Sequence, residues 1–140
     1  MNLPSPYDQL GGCLWLPRIL AKARLINAGQ LPQEYVTRFC AATGVDGHFI
    51  TFFSITREGM LEAAHLDDGE ALAWFMALPI ANEGTIREWN HIAVNLGRPG
   101  FPMDDRLEVA KQTTYRHLEA SQVETIFQLL EMDEAVVVPA

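Results

Sequence analysis

Arg18 and Lys22 stand four residues apart, a spacing that stacks two side chains on one face of a helix. Two cations beside an apolar wall can grip a phosphate or a carboxylate, the guanidinium by a planar fork and the ammonium as a point charge. Trp15 supplies that wall, since on a helical wheel it lies about 60° from Arg18, with Lys22 about 40° away. Arg24 projects about 120° from Arg18 and is expected to do something else. Gly11 and Gly12 precede the pair, where backbone amides without side chains can approach an anion. The chain has no G-x-x-x-x-G-K-[ST] run, so this is not a P-loop. Asn90 sits mid-helix at the edge of a core stripe, where an amide side chain seeks partners. It is expected to bond a neighbouring loop's backbone, such as that of Gly11-Gly12. The candidate ligand-binding set is therefore Gly11, Gly12, Trp15, Arg18, Lys22 and Asn90. The plainer reading is that the cations pair with acids such as Asp8 or those of the C-terminal helices and fix the packing. In either case Lys22 is expected to be less exposed than an ordinary lysine, facing a carboxylate or a bound anion.

Metal and thiol chemistry fare less well. Glu62 with His65 and Glu88 with His91 are both Glu-x-x-His pairs, the unit that di-iron bundles use twice. Helical phase argues against a centre, because Glu88 and His91 fall about 140–200° from Ile86 on the wheel, away from the core stripe. No metal and no cofactor are expected. Cys13 precedes a helix N-terminus, where the macrodipole lowers a thiol pKa, yet a lone cysteine is more often a small buried hydrophobe. For an enzyme, the only acid or base suggestions near the cations are Asp8, His48 and Asn90.

The elements that position these residues read as helices throughout. Pro4, Pro6, Gly11 and Gly12 mark an irregular lead-in. Pro17 opens a helix and Gly29 ends it, with Trp15, Leu16, Ile19, Ala23 and Ile26 on one face. A loop or short helix holds Tyr35, Phe39 and Cys40. Asp46 is placed as the cap of a helix through Phe49 and Phe53, Thr56 as the cap of the next, and Asp67 or Asp68 as that of a third. The third is apolar nearly all round and is expected to be central, ending before Pro79. Asn82 opens a fourth with Ile86, Trp89 and Ala93 inward.

The stretch Arg98-Pro99-Gly100-Phe101-Pro102 is the clearest loop. It separates a main body, residues 1–97, from a C-terminal helical pair over 103–140, expected to pack on it. The pair's first helix is placed from Asp104 or Asp105. Its second is placed behind a Ser121/Glu124 capping box. Val136 to Val138 is strand-like but short, just ahead of Pro139. The fold class is all-α, a single domain of six or seven short helices. Trp15, Ile19, Ala23, Phe49, Phe53, Leu72, Phe75, Ile86, Trp89 and Leu130 are its expected core.

With 140 residues the chain can bury a core without disulfides, so Cys13 and Cys40 are expected to be reduced. The N-terminus lacks a signal-peptide pattern, and the longest uncharged apolar run, Ala71 to Ala81, is half a membrane span. A cytoplasmic location follows as an expectation. The net charge of −8 argues against nucleic acid and anionic membranes as partners. Charge is uneven: residues 1–45 hold four basic against two acidic residues, whereas 46–103 and 104–140 each hold three against eight.

Several segments together carry a resemblance. Leu10-Gly11-Gly12, Leu16-Pro17-Arg18 and Lys22-Ala23-Arg24 resemble the N-terminal signature of a bacterial family known as domain of unknown function 5069. Gly47 to Phe53, Leu72-Ala73-Trp74, Ile86 with Trp89-Asn90, and Phe127 to Asp133-Glu134 continue it in family order over nearly the whole chain. The family often has Gly-Arg after Asp133-Glu134, where this chain has Ala135-Val136. The resemblance implies a mostly helical intracellular domain and implies no activity.

Three function classes remain. The leading one is a noncatalytic domain binding an anionic ligand or a protein partner through the N-terminal segment. The second is a small enzyme on an anionic metabolite held by Arg18 and Lys22. The third is a scaffold joining copies through an apolar patch on the C-terminal pair.

Overall fold

The computed structural model describes residues 2–137. Among them, eight α-helices follow one two-stranded hairpin, so the all-α class holds, with more helices than the six or seven expected. The chain forms two compact units, one up to Trp89 and one from Asn90 onward, and the division falls inside a single helix.

The first unit opens with β1 (Gln9–Leu10) and β2 (Cys13–Leu14), antiparallel with Leu10 opposite Cys13. The lead-in is thus more ordered than its prolines and glycines suggested. Gly11 and Gly12 have φ values of 59° and 80°, and two consecutive left-handed residues are what a two-residue hairpin turn requires. Gly11 is also constrained from outside, because a Cβ there would meet Leu72 Cδ1 at 2.4 Å.

Helix α1 (Leu16–Asn27) follows, with Pro17 in its first turn as expected. Then come α2 (Gln33–Arg38), α3 (Val45–Phe53), α4 (Arg57–Ala63), α5 (Asp68–Met76) and α6 (Glu83–Asn95). Thr56 caps α4 by accepting from the Gly59 amide at 2.9 Å, and Asp67 caps α5 with Glu70 returning the bond. Asn82 accepts from the Thr85 amide at 3.0 Å ahead of α6. Two expectations need correction. Gly44, not Asp46, is the N-cap of α3. Helix α5 is not buried all round: Ala71 and Phe75 face inward while Ala73 and Met76 are exposed on the side that also carries the exposed Gly69 and Glu70, so only one face is apolar enough to be covered.

The core of this unit is aromatic. Phe49 lies 5.1 Å from Phe53, 6.1 Å from Phe75 and 5.3 Å from Trp89 between ring centroids. The first is tilted, the second stacked and the third edge-on, and such ring contacts add to plain area burial. Trp89 also donates its indole N–H to the Leu14 carbonyl at 2.9 Å, tying the hairpin to α6. Of the ten expected core residues, eight are buried and Leu72 and Leu130 are half-buried.

In the second unit, Gly97 (φ 95°) ends α6, and its amide donates to the Pro102 carbonyl at 3.0 Å across the Pro-Gly loop. Helix α7 is short (Leu107–Gln112) and starts later than Asp104 or Asp105. Helix α8 is Ile126–Val137, so Val136 and Val137 are helical, while Val138 lies outside the described residues. Its N-terminus is not the Ser121/Glu124 box. Ser121 Oγ instead donates to Glu119, and Thr125 Oγ1 accepts from the Gln128 amide at 3.2 Å. Thr125 is buried at the helix start and Ser121 is exposed one turn upstream, so the cap falls to Thr125.

Candidate functional site

Trp15 is the residue before α1, and its backbone is left-handed at φ 75°. A tryptophan there is strained by roughly 1–2 kcal/mol. What holds it is its own side chain: the indole Nε1–H donates to Asp46 Oδ1 at 2.7 Å. Asp46 lies in the first turn of α3, with its carboxylate turned inward instead of back onto the helix amides. Lys22, one turn along α1 from Arg18, places Nζ 3.3 Å from both oxygens of the same carboxylate. The Cys40 amide donates to Oδ2 at 3.2 Å. One carboxylate thus serves an indole, an ammonium and a backbone amide.

Both cations lie against the indole. Lys22 Nζ is 4.9 Å and the Arg18 guanidinium carbon 5.2 Å from the Trp15 ring, within the range of cation–π attraction. Arg18 also donates to the Pro4 carbonyl at 2.9 Å, holding the lead-in on α1. All three charged residues are buried: Arg18 is 2%, Lys22 7% and Asp46 2% exposed. Burial pushes the Lys22 pKa below its ordinary value, and the nearby Arg18 acts in the same direction. Asp46 opposes both.

The expected neighbours sort as follows. Trp15, Arg18 and Lys22 come together. Lys22 has the carboxylate foreseen for it, though the acid is Asp46 and not Asp8. Gly11 and Gly12 form the exposed hairpin turn. Asn90 is half-buried at the first position of the second unit. Arg24 serves apart from this cluster, as its position on the wheel foretold. It donates to the Ala64 and Leu66 carbonyls and pairs with Asp68 at 2.9 Å, clamping α1 to the α4–α5 link. Asp8 is exposed and accepts from the Ser5 amide. A cavity of about 260 Å³ lies alongside, lined by Pro4, Asp8, Gln9, Leu10, Pro17 and Asp68. Its charged lining residues, Asp8 and Asp68, are both acidic, and Asp68 is paired with Arg24.

The site residue missed in the sequence is Asp46. The available signal was an acid in the first turn of the apolar helix VDGHFITFF, where capping explained it too readily. The thiols are not activated. Cys13 is fully buried in β2 and its pKa is pushed up to about 12 by burial. Cys40 is likewise raised to about 12, first by burial and then by Asp46. Burial lowers the His48 pKa. Glu62, His65, Glu88 and His91 are all exposed. Among the described residues no group of three His, Cys, Asp or Glu converges as a metal would need, and no helix is long and apolar enough to cross a membrane.

No curated protein matches the chain significantly. A family model, described as domain of unknown function (DUF5069), matches residues 1–136. Within the matched residues, Leu10-Gly11-Gly12, Leu16-Pro17-Arg18 and Lys22-Ala23-Arg24 build the hairpin turn, the first turn of α1 and the buried cation. With nearly its whole length matched, the chain belongs to the DUF5069 family.

Proposed function

We propose that this is a noncatalytic domain of the bacterial cytoplasm that takes an anionic group at Trp15, Arg18 and Lys22. The group is a carboxylate or phosphate, carried by a small molecule or a protein partner. In the free chain Asp46 holds its place on Lys22.

The observation that carries this reading is the concentration of destabilising features at one spot. A non-glycine residue sits at φ 75° beside three ionisable side chains that are each 7% exposed or less. Apolar residues of similar volume would serve packing at least as well as a buried ion pair. Backbone strain at a buried position points toward function in the same way. The raised thiols support a noncatalytic role, because at neutral pH they are protonated and poor nucleophiles. The net charge of −8 disfavours nucleic acid and anionic membranes as the source of the anion.

A second reading, a small enzyme on an anionic metabolite, is favoured by Lys22 alone. Burial lowers its pKa from the ordinary value, and a carboxylate lies 3.3 Å away to exchange a proton.

Thermal shift of the full chain with inorganic phosphate and with citrate tests the leading reading, since a ligand that binds only the folded state raises Tm. The rise is expected in the wild type and is expected to vanish in the double variant Lys22→Met/Asp46→Asn. No shift with either anion overturns the reading. Reduction with borohydride in the presence of a keto acid tests the second: a mass increase on Lys22 supports it.

A further inference from the structure

We propose that residues 39–44, joining α2 to α3, form a strap latched on Asp46, whose release uncovers Lys22 and Trp15. This deepens the anion-binding reading, and its opening can be measured with no ligand present.

The strap is held at three points. Phe39 is 3% exposed, with the Arg57 guanidinium 5.5 Å from its ring. The Cys40 amide donates to Asp46 Oδ2. Beyond that, the chain runs so close to α3 that a Cβ on Gly47 would lie 2.1 Å from the Ala41 carbonyl oxygen. Only glycine at position 47 allows this closure.

Other features favour release. Cys40 is left-handed at φ 58°, a conformation that a cysteine rarely takes and that opening would relax. No side chain of α2 is buried, so the helix leading into the strap adds little to hold it. The latch and the site also share one group. The carboxylate that accepts from Cys40 is the one that neutralises Lys22 and positions Trp15. An anion that takes over Lys22 therefore loosens the latch, and an open latch exposes Lys22. Lys22, Arg57 and Glu58 are the charged groups around Cys40 besides Asp46.

Two measurements on the full chain decide. In the wild type, hydrogen exchange at the Cys40 and Ala41 amides should be about 100-fold faster than at Leu20 and Ala23 in α1, because sub-global opening precedes unfolding. In Gly47→Ala, the added methyl should force the strap off α3. Peptide-resolved alkylation by iodoacetamide should then label Cys40 about tenfold faster than in the wild type, while Cys13 stays protected. The strap is overturned if the Cys40 and Ala41 amides exchange as slowly as those of α1. It is equally overturned if Cys13 is labelled in step with Cys40. Should Gly47→Ala not fold, the wild-type exchange comparison decides alone. Selective opening with no response of Cys40 labelling or Tm to inorganic phosphate supports the strap and removes the anion-binding reading instead.

Discussion

Trp15 and Asp46, 31 positions apart, meet through a 2.7 Å hydrogen bond between the indole N–H and a carboxylate oxygen. The bond joins the residue before α1 to the first turn of α3 and fixes a tryptophan in the left-handed region. Replacing Trp15 by Phe keeps a ring under Lys22 and Arg18 but removes the donor. Denaturant unfolding should show a loss of about 1.5–3 kcal/mol, the range for a hydrogen bond to a charged group. A loss near zero would show that Asp46 needs no indole to stay in place.

The Lys22–Asp46 pair should behave as a coupled unit. Lys22→Met or Asp46→Asn alone strands a buried charge and should cost about 3–5 kcal/mol. The double variant should recover more than half of the summed loss. Additive losses from urea titrations would mean that the two groups do not neutralise one another.

Stability should fall above pH 9 because of the thiols. Cys13 and Cys40 have folded pKa values near 12 against an ordinary 9.0. Above 9 the unfolded chain loses thiol protons that the folded chain keeps, so alkali favours unfolding. Cys13 contributes a loss of roughly 1 kcal/mol between about pH 8 and 10, and the half-buried Cys40 a smaller one because solvent screens it. Lys22 acts in the opposite sense. Its folded pKa is lowered, so its contribution grows as pH rises from that value toward the ordinary 10.5. Removing one thiol by Cys13→Ala should therefore flatten the pH 8–10 decline by about 1 kcal/mol in parallel denaturation series. An unchanged slope would mean that Cys13 is not protected from ionisation.

The two turn glycines should differ in their tolerance. Gly12→Ala meets nothing within 4 Å and bears only the φ 80° penalty, about 1 kcal/mol. Gly11→Ala adds a Cβ 2.4 Å from Leu72 Cδ1, and turning the half-buried Leu72 aside should cost about 1 kcal/mol more. Adding Leu72→Ala to Gly11→Ala should restore part of that excess. Melting temperatures of the three variants give the order directly, and equal losses at the two glycines would contradict it.

Much of this architecture is local and so was readable from the chain. Thr56, Asp67 and Asn82 announce helix starts because capping bonds span only three residues, and the apolar spacing of Ile19, Ala23, Ile86 and Trp89 marks inward faces through the helical period. Lys22 could be foreseen as buried and paired from its place beside Trp15 on the same helix. Its partner could not. Asp46 lies in another helix, and in the sequence it looks like a helix cap. Only tertiary packing turns its carboxylate toward α1. The left-handed backbone of Trp15 and Cys40 was equally hidden, since neither residue type prefers it; Trp15 is held by a bond to Asp46 31 positions away, and Cys40 by a bond to the same carboxylate six positions on. Helical period and capping depend on near neighbours, whereas the partner of a buried charge depends on which elements the fold brings together.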